Sequence, residues 1–179
     1  MLTDMEERTR WLILVYQLPR EPSRHRVAVW RKLRTLGAIY LQDGAVALPE
    51  DAVTREQLEW LQLRVREAGG EATLWEAKPA TLAEEKALVQ AFRSSREEAY
   101  VNIISEAQRI RRKAAMEGGK KALGEELRKL EHELRAERRR DYFRSPLRKE
   151  AASALRAARE ALRASARPEE GIGGSGGGI

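Results

Sequence analysis

The sequence predicts an α+β protein: a ferredoxin-like βαββαβ domain followed by a long α-helical extension containing a helical hairpin. Over residues 1–80, short apolar segments alternate with helix-length amphipathic ones in the order strand, helix, strand, strand, helix, strand. After residue 80 the helical pattern continues without a proline until Pro146. We therefore expect a ferredoxin-like domain at 1–80, a basic helical extension at 81–167 and a flexible Gly-rich tail at 168–179.

The first strand and helix follow from local signals. Six apolar residues, 11–16, precede Leu18-Pro19, which indicates a buried strand and its end. A helix is expected from Ser23, its N-cap, to about Leu36, with Gly37 closing it. Its apolar face is expected to comprise Val27, Trp30, Leu33 and Leu36.

The second half of the domain repeats this logic. Asp43-Gly44 between residues 39–41 and 46–48 is typical of a tight hairpin between two strands. Thr54 and Gln57 have the spacing of a capping box, and the helix that they begin stops at Gly69-Gly70. The fourth strand is expected at 72–75 or slightly longer. On the sheet face without helices we expect Trp11, Tyr40 and Trp75.

The extension carries two further start signals. Thr81 and Glu84 form another capping box, and Ser145-Pro146 is an N-cap followed by a first-turn proline. Between them lies a seam of leucines at steps of four, three and four, which suits helix-on-helix packing. The seam comprises Leu123, Leu127, Leu130 and Leu134, and its matching stripe comprises Leu147, Ala151, Leu155, Ala158 and Leu162.

Composition excludes several function classes. The chain of 179 residues has no cysteine and two histidines, His25 and His132, which disfavours thiolate, redox and metal chemistry, and no cofactor is expected. No apolar run reaches the ~18–20 residues of a bilayer span. We therefore expect no membrane partner and a cytoplasmic location. Residues 1–92 hold 13 basic and 14 acidic residues, whereas 93–167 hold 21 and 12. This excess attracts polyanions such as nucleic acid, although a solvated charged face is the alternative interpretation.

The start of the first helix is a candidate oxyanion site. Arg24 and Arg26 crowd its first turn and Arg20 precedes it, in a place where the helix dipole disfavours cations. Together with the N–H groups after Ser23, these side chains would cradle a tetrahedral oxyanion. The alternative is that Glu21 and other acids neutralise them.

A nucleic-acid interface is the second candidate site. Arg24, Arg31 and Arg34 fall near one outward stripe of the first helix, where they would follow a phosphate backbone, whereas Trp30 is expected in the core rather than as a base-stacking platform. In the extension the candidates are Arg109, Arg111, Arg112, Lys113, Arg138, Arg139 and Arg140.

Signals for catalysis are weak. The chain has no phosphate-binding loop, nucleophile elbow or zinc-helix motif. A metal-dependent nuclease on this scaffold would need an acid at the end of the first strand, where Tyr16-Gln17 stand instead. We expect a protein that is not an enzyme.

Several segments resemble the N-terminal domain of the chromate resistance protein ChrB family. The resemblance covers roughly residues 11–166, and the segments that carry it are 11–23, 29–38, 40–44, 69–75 and the aromatic corner 140–146. It implies a part in chromate-responsive transcriptional control of a chromate efflux transporter, with a first domain similar to that of the PaaX-type repressors. Full-length relatives continue into a second domain associated with chromate resistance, so the expected protein partner is either a second copy of this chain or a protein that supplies that domain.

These observations lead to one prediction and two alternatives. The prediction is a non-enzymatic, cytoplasmic, ChrB-type regulator, a homo-oligomer, that binds DNA through its basic helices. The first alternative is a sensor or handling protein for an oxyanion, chromate or sulfate, with Ser23, Arg24 and Arg26 holding the ligand. The second is a structural module whose leucine seam at 123–134 joins subunits.

Overall fold

The computed structural model describes residues 9–116 and 120–166, and it has the predicted α+β fold. Its elements occur in the expected order: β1 (Trp11–Gln17), α1 (Ser23–Leu36), β2 (Ile39–Gln42), β3 (Ala45–Pro49), α2 (Ala52–Glu67), β4 (Glu71–Ala77), α3 (Leu82–Ala114), α4 (Lys120–Arg139) and α5 (Leu147–Ala166). The chain divides into two compact units. Of the described residues, unit 1 contains those up to Arg96 together with Arg139–Ser145, and unit 2 contains all the others. The predicted Gly-rich tail lies outside the described residues.

Unit 1 is built on a four-stranded antiparallel sheet in the order β2-β3-β1-β4. Its central strand, β1, pairs Leu12 with Leu48 and Leu14 with Val46, and all four side chains are fully buried. They share one core with the buried residues Val29 and Leu33 of α1 and Leu58, Leu61 and Val65 of α2. The register therefore fixes which sheet face the two helices cover.

The buried stripe of α1 differs from the expected one. Val29 and Leu33 are buried, whereas Val27 and Trp30 are 41% and 46% exposed, so the expectation that Trp30 is a core residue is wrong. Steps of three residues turn by about 300°, so a run of such steps drifts around the helix instead of holding one face. Leu36, seven residues after Val29, is partly buried against the same core.

Two helix starts also differ from the prediction. The N-cap of α1 is Pro22 rather than Ser23, and the side chain of this N-cap residue makes no hydrogen bond to the first turn. The N-cap of α2 is Asp51, whose carboxylate accepts from the Thr54 N–H (2.7 Å), while the Thr54 hydroxyl accepts from the Asp51 N–H (2.9 Å). Asp51 and Thr54 thus form the capping box, where the spacing predicts Thr54 and Gln57, and α2 begins two residues before Thr54.

Other local signals are confirmed. Gly44 has a φ of 74° in the β2–β3 turn, and the register shifts by one residue between Tyr40 and Gln42. The capping box of α3 is present, because the Thr81 N–H donates to Glu84 Oε2 (2.8 Å) and the Glu84 N–H donates to Thr81 Oγ1 (3.2 Å).

The other face of the sheet is covered at one end. Trp11 is buried, and its ring lies 5.5 Å from the ring of Phe92 and 5.8 Å from that of Phe143. Trp75 lies opposite Ile13 on the same face and is 59% exposed. Tyr40 was expected there too, but its pairing with Val46 places it on the helix-covered face, where its hydroxyl lies 3.2 Å from that of Tyr16.

Unit 2 is a three-helix core formed by the second part of α3 with α4 and α5. The antiparallel hairpin of α4 and α5 is joined by an ion pair between Glu131 and Arg159 and by a hydrogen bond from Lys120 to the Ser165 carbonyl. The leucine seam is buried inside this unit, against Tyr100, Ile103, Ala107 and Ile110 of α3 and Ala151, Leu155 and Ala158 of α5. The seam packs within the chain, so the expectation that it joins subunits is wrong.

Candidate nucleic-acid interface

The helix α1 is basic along its whole length. Its 14 residues contain no Asp or Glu. Its cations are Arg24, Arg26, Arg31, Lys32 and Arg34, and all but Lys32, which is partly buried, are exposed. None of them forms an ion pair with an acid within the described residues. This helix therefore presents a positive surface that no described acid neutralises.

The first turn of α1 is partly occupied by an acid of the chain itself. Glu21 Oε2 accepts a hydrogen bond from the Ser23 N–H at 3.2 Å. Arg20, Arg24 and Arg26 are exposed beside it. The Glu21 carboxylate thus occupies one of the backbone donors that an oxyanion at this helix end would use.

The last turn of α1 is closed by a glycine and by an arginine from the corner after α4. The Arg34 carbonyl accepts from the Gly37 N–H (3.1 Å) and from Arg140 Nη1 (2.9 Å), and the Leu36 carbonyl accepts from the Tyr142 hydroxyl (2.7 Å). Arg140 is only partly exposed. Arg140, which the sequence predicts as a nucleic-acid contact, thus caps the end of α1, because its guanidinium donates to a terminal carbonyl.

Aromatic rings interleave with these cations. The Arg34 guanidinium lies 5.3 Å from the Trp30 ring centroid. On α2, Trp60 is 48% exposed, with the Arg64 guanidinium 4.8 Å and Lys32 Nζ 5.8 Å from its ring centroid. Trp60 and Arg64 were not predicted as site residues, although their spacing of four on one helix would bring them together.

In the extension, one predicted nucleic-acid contact is held in ion pairs within the chain, whereas the others are exposed. Arg109 is held in ion pairs with Glu106 and Glu126, and its hydrogen bond lowers the pKa of the Glu126 carboxyl. Arg109 is therefore committed within unit 2. The remaining candidates are exposed: Arg111, Arg112 and Lys113 in the last turn of α3, and Arg138 and Arg139 at the end of α4.

The described residues contain no group of three or more His, Asp or Glu placed to hold a metal ion. At the end of β1, the position considered for a nuclease acid, burial is the main cause that raises the pKa of Tyr16, followed by its hydrogen bond with Tyr40.

In the part of the chain that the structure describes, no helix is both long and apolar enough to span a bilayer.

The fold and this surface define a class of protein: a ferredoxin-like domain with a basic outer helix, in one chain with a three-helix unit. Comparison with known proteins gives the family. The chain belongs to the ChrB N-terminal family, since the family model described as "Protein ChrB, N-terminal" matches residues 26–167.

A curated relative carries the same name. Protein ChrB of Cupriavidus metallidurans is 43% identical to this chain over 53 residues, which are 30% of this chain and 16% of that protein. The match thus spans about one sixth of the relative. No solved structure matches the chain.

Proposed function

We propose that this chain is the nucleic-acid-binding module of a ChrB-type regulator, that it binds DNA without catalysis, and that it acts in the cytoplasm. Membership of the ChrB family supports an association with chromate resistance. The observation that carries DNA binding is the acid-free α1, whose exposed arginines have no described acidic partner.

The physical argument starts from the cost of this arrangement. Cations near a helix N-terminus oppose the macrodipole, at about 0.3–1 kcal/mol each when exposed, and like charges three residues apart, such as Arg31 and Arg34, repel. A polyanion laid along α1 turns both penalties into attractions. Phosphate contacts release condensed counterions, so the gain is largest for a densely charged polymer such as DNA.

Arg24 and Arg31 are the clearest contacts. They lie seven residues apart, two turns along one stripe of α1, and both are exposed. Neither contacts an aromatic ring within the described residues, in contrast to Arg34. Contacts of this kind position a protein on a duplex without reading its sequence.

The test removes these two charges and compares the variant with one of equal net charge. Arg24→Gln/Arg31→Gln is expected to weaken binding to a labelled 20-base-pair duplex about tenfold or more, as measured by fluorescence anisotropy. The matched control is Lys78→Gln/Lys86→Gln. Both lysines are exposed, and acids are close to them in the sequence, at positions 76, 84 and 85. Equal losses for both double variants would mean that net charge alone drives binding, and no duplex binding by the wild-type chain would refute the proposal.

A further inference from the structure

The outer face of α1 and α2 carries exposed indole rings, which phosphate binding alone does not need. The three cation–π contacts among the described residues all lie here, and they involve two indole rings, Trp30 and Trp60. Arg34 of α1 lies over the Trp30 ring and Lys32 of α1 reaches the Trp60 ring on α2, so cations of α1 lie beside both rings. We call the exposed side of α1 together with these two rings the Trp30–Trp60 surface.

Both rings are anchored and yet open to solvent. Trp30 and Trp60 are 46% and 48% exposed, although a cation from the next turn of the same helix lies over each ring. Such a contact orients the indole with modest stabilisation, about 0.5–1 kcal/mol at an exposed site. The result is a pair of oriented aromatic platforms at the surface rather than two rings packed in the core.

The chemistry around the rings selects the ligand. The cations beside the rings, Lys32, Arg34 and Arg64, suit a phosphate backbone, while an indole face offers stacking to a flat heterocycle. Proteins that bind single-stranded nucleic acid combine these two features, a cationic surface that follows the backbone and aromatic side chains on which bases stack. A duplex presents its bases edge-on in the grooves and leaves their faces stacked inside, so it cannot use such platforms.

We propose that the Trp30–Trp60 surface binds unpaired nucleotides, with bases stacking on the two indoles and the cations of α1 holding the phosphates. The proposal rests on the function proposed above and adds the form of nucleic acid, a single strand or an opened duplex. Charge complementarity supports this occupant over an apolar protein partner, because α1 contributes five cations and no acid to the surface.

The experiment removes the rings and keeps the charges. Trp30→Leu and Trp60→Leu remove the rings and place a good helix former at each position. Trp75→Leu is the matched control, because Trp75 is 59% exposed on β4 with no cation over its ring among the described residues. The probes are a labelled 15-nucleotide oligothymidine and a labelled blunt 15-base-pair duplex, measured by anisotropy at one salt concentration. Circular dichroism verifies that each variant is folded, and Trp30→Phe and Trp60→Phe keep a smaller aromatic face.

We expect each Trp→Leu change to weaken binding of the single strand about tenfold, since base stacking contributes ~1–3 kcal/mol per base. The Phe variants should recover part of this loss, whereas duplex binding and the Trp75→Leu variant should change less than twofold. The proposal is overturned if Trp30→Leu and Trp60→Leu bind the single strand as tightly as Trp75→Leu does. If duplex binding then still depends on Arg24 and Arg31, the proposed function stands and a protein partner becomes the occupant to seek. If neither probe binds the wild type, both proposals fail.

Discussion

Single residues hold the corner after α4 against the end of α1. Gly37 ends α1 with a φ of 72°, and a Cβ placed there would lie 2.8 Å from the Cβ of Arg140. Arg140 in turn donates to the Arg34 carbonyl. The glycine therefore serves two purposes, because it adopts a left-handed conformation and lets the corner after α4 approach the helix end.

Gly37→Ala should destabilise the protein by at least about 1–2 kcal/mol, from the left-handed conformation alone. The opposite sign is expected for Gly124→Ala, since Gly124 lies inside α4 with no atom within 4 Å of an added Cβ. That change should stabilise by about 0.5–1 kcal/mol. Urea unfolding of both variants measures the two effects, and a shift of the same sign for both would contradict this account of Gly37.

Tyr142 provides a pH test of the same contact between the corner after α4 and the end of α1. Its hydroxyl donates to the Leu36 carbonyl, and burial is the main cause that raises the pKa of Tyr142 to about 12. In the unfolded chain the phenol ionises near its ordinary value of 10.0. The neutral form is thus favoured by folding, so its stabilisation is complete below pH 10 and is lost as the pH rises towards 12.

Tyr142→Phe should accordingly reduce stability by about 1 kcal/mol at neutral pH, through the lost hydrogen bond. The difference between wild type and variant should shrink between pH 10 and pH 12. Thermal unfolding across pH 7–12 measures it, and a constant difference over that range would show that the hydroxyl is not protected in the folded state.

The sequence predicted the exposure of some candidate site residues but not the contacts of others, for identifiable reasons. It placed Arg24, Arg31 and Arg34 on an exposed stripe, since helical spacing is a local property. It did not reveal that Arg109 pairs with Glu126, because that acid lies on another helix. The capping role of Arg140, 106 residues away from its partner Arg34, depends on tertiary structure in the same way.

At the scale of elements, order and type were predictable, and boundaries and faces less so. The four-three-four spacing of leucines in α4 follows the helical period, and those leucines are buried as expected. The equal three-residue steps in α1 do not, and Trp30 is exposed. The face occupied by Tyr40 depends on the register with Val46, which a sequence does not show.

The start of α2 yields a test at this scale. Asp51→Ala removes the acceptor of the Thr54 N–H and should cost about 1 kcal/mol, whereas Asp51→Asn keeps an acceptor and should cost only a few tenths. Chemical unfolding of the two variants measures the difference. Equal losses would indicate that the charge of Asp51, rather than its cap, stabilises α2.

At the scale of the whole molecule, both units contain basic residues but use them differently. In unit 2 the ion pairs of Arg109 and Arg159 with acids on neighbouring helices support the three-helix core. In unit 1 the cations of α1 have no described acidic partner and lie on the surface. This contrast, rather than net charge, distinguishes a binding surface from a merely charged one.

The salt dependence of DNA binding tests this central claim most directly. Each phosphate neutralised contributes about −0.9 to the slope of log K against log salt concentration for a duplex. We predict that Arg24→Gln/Arg31→Gln makes the slope shallower by about two such contacts, while Lys78→Gln/Lys86→Gln leaves it unchanged. Identical slopes for the wild type and the Arg24→Gln/Arg31→Gln variant would contradict the account, because they would show that α1 does not touch the phosphates.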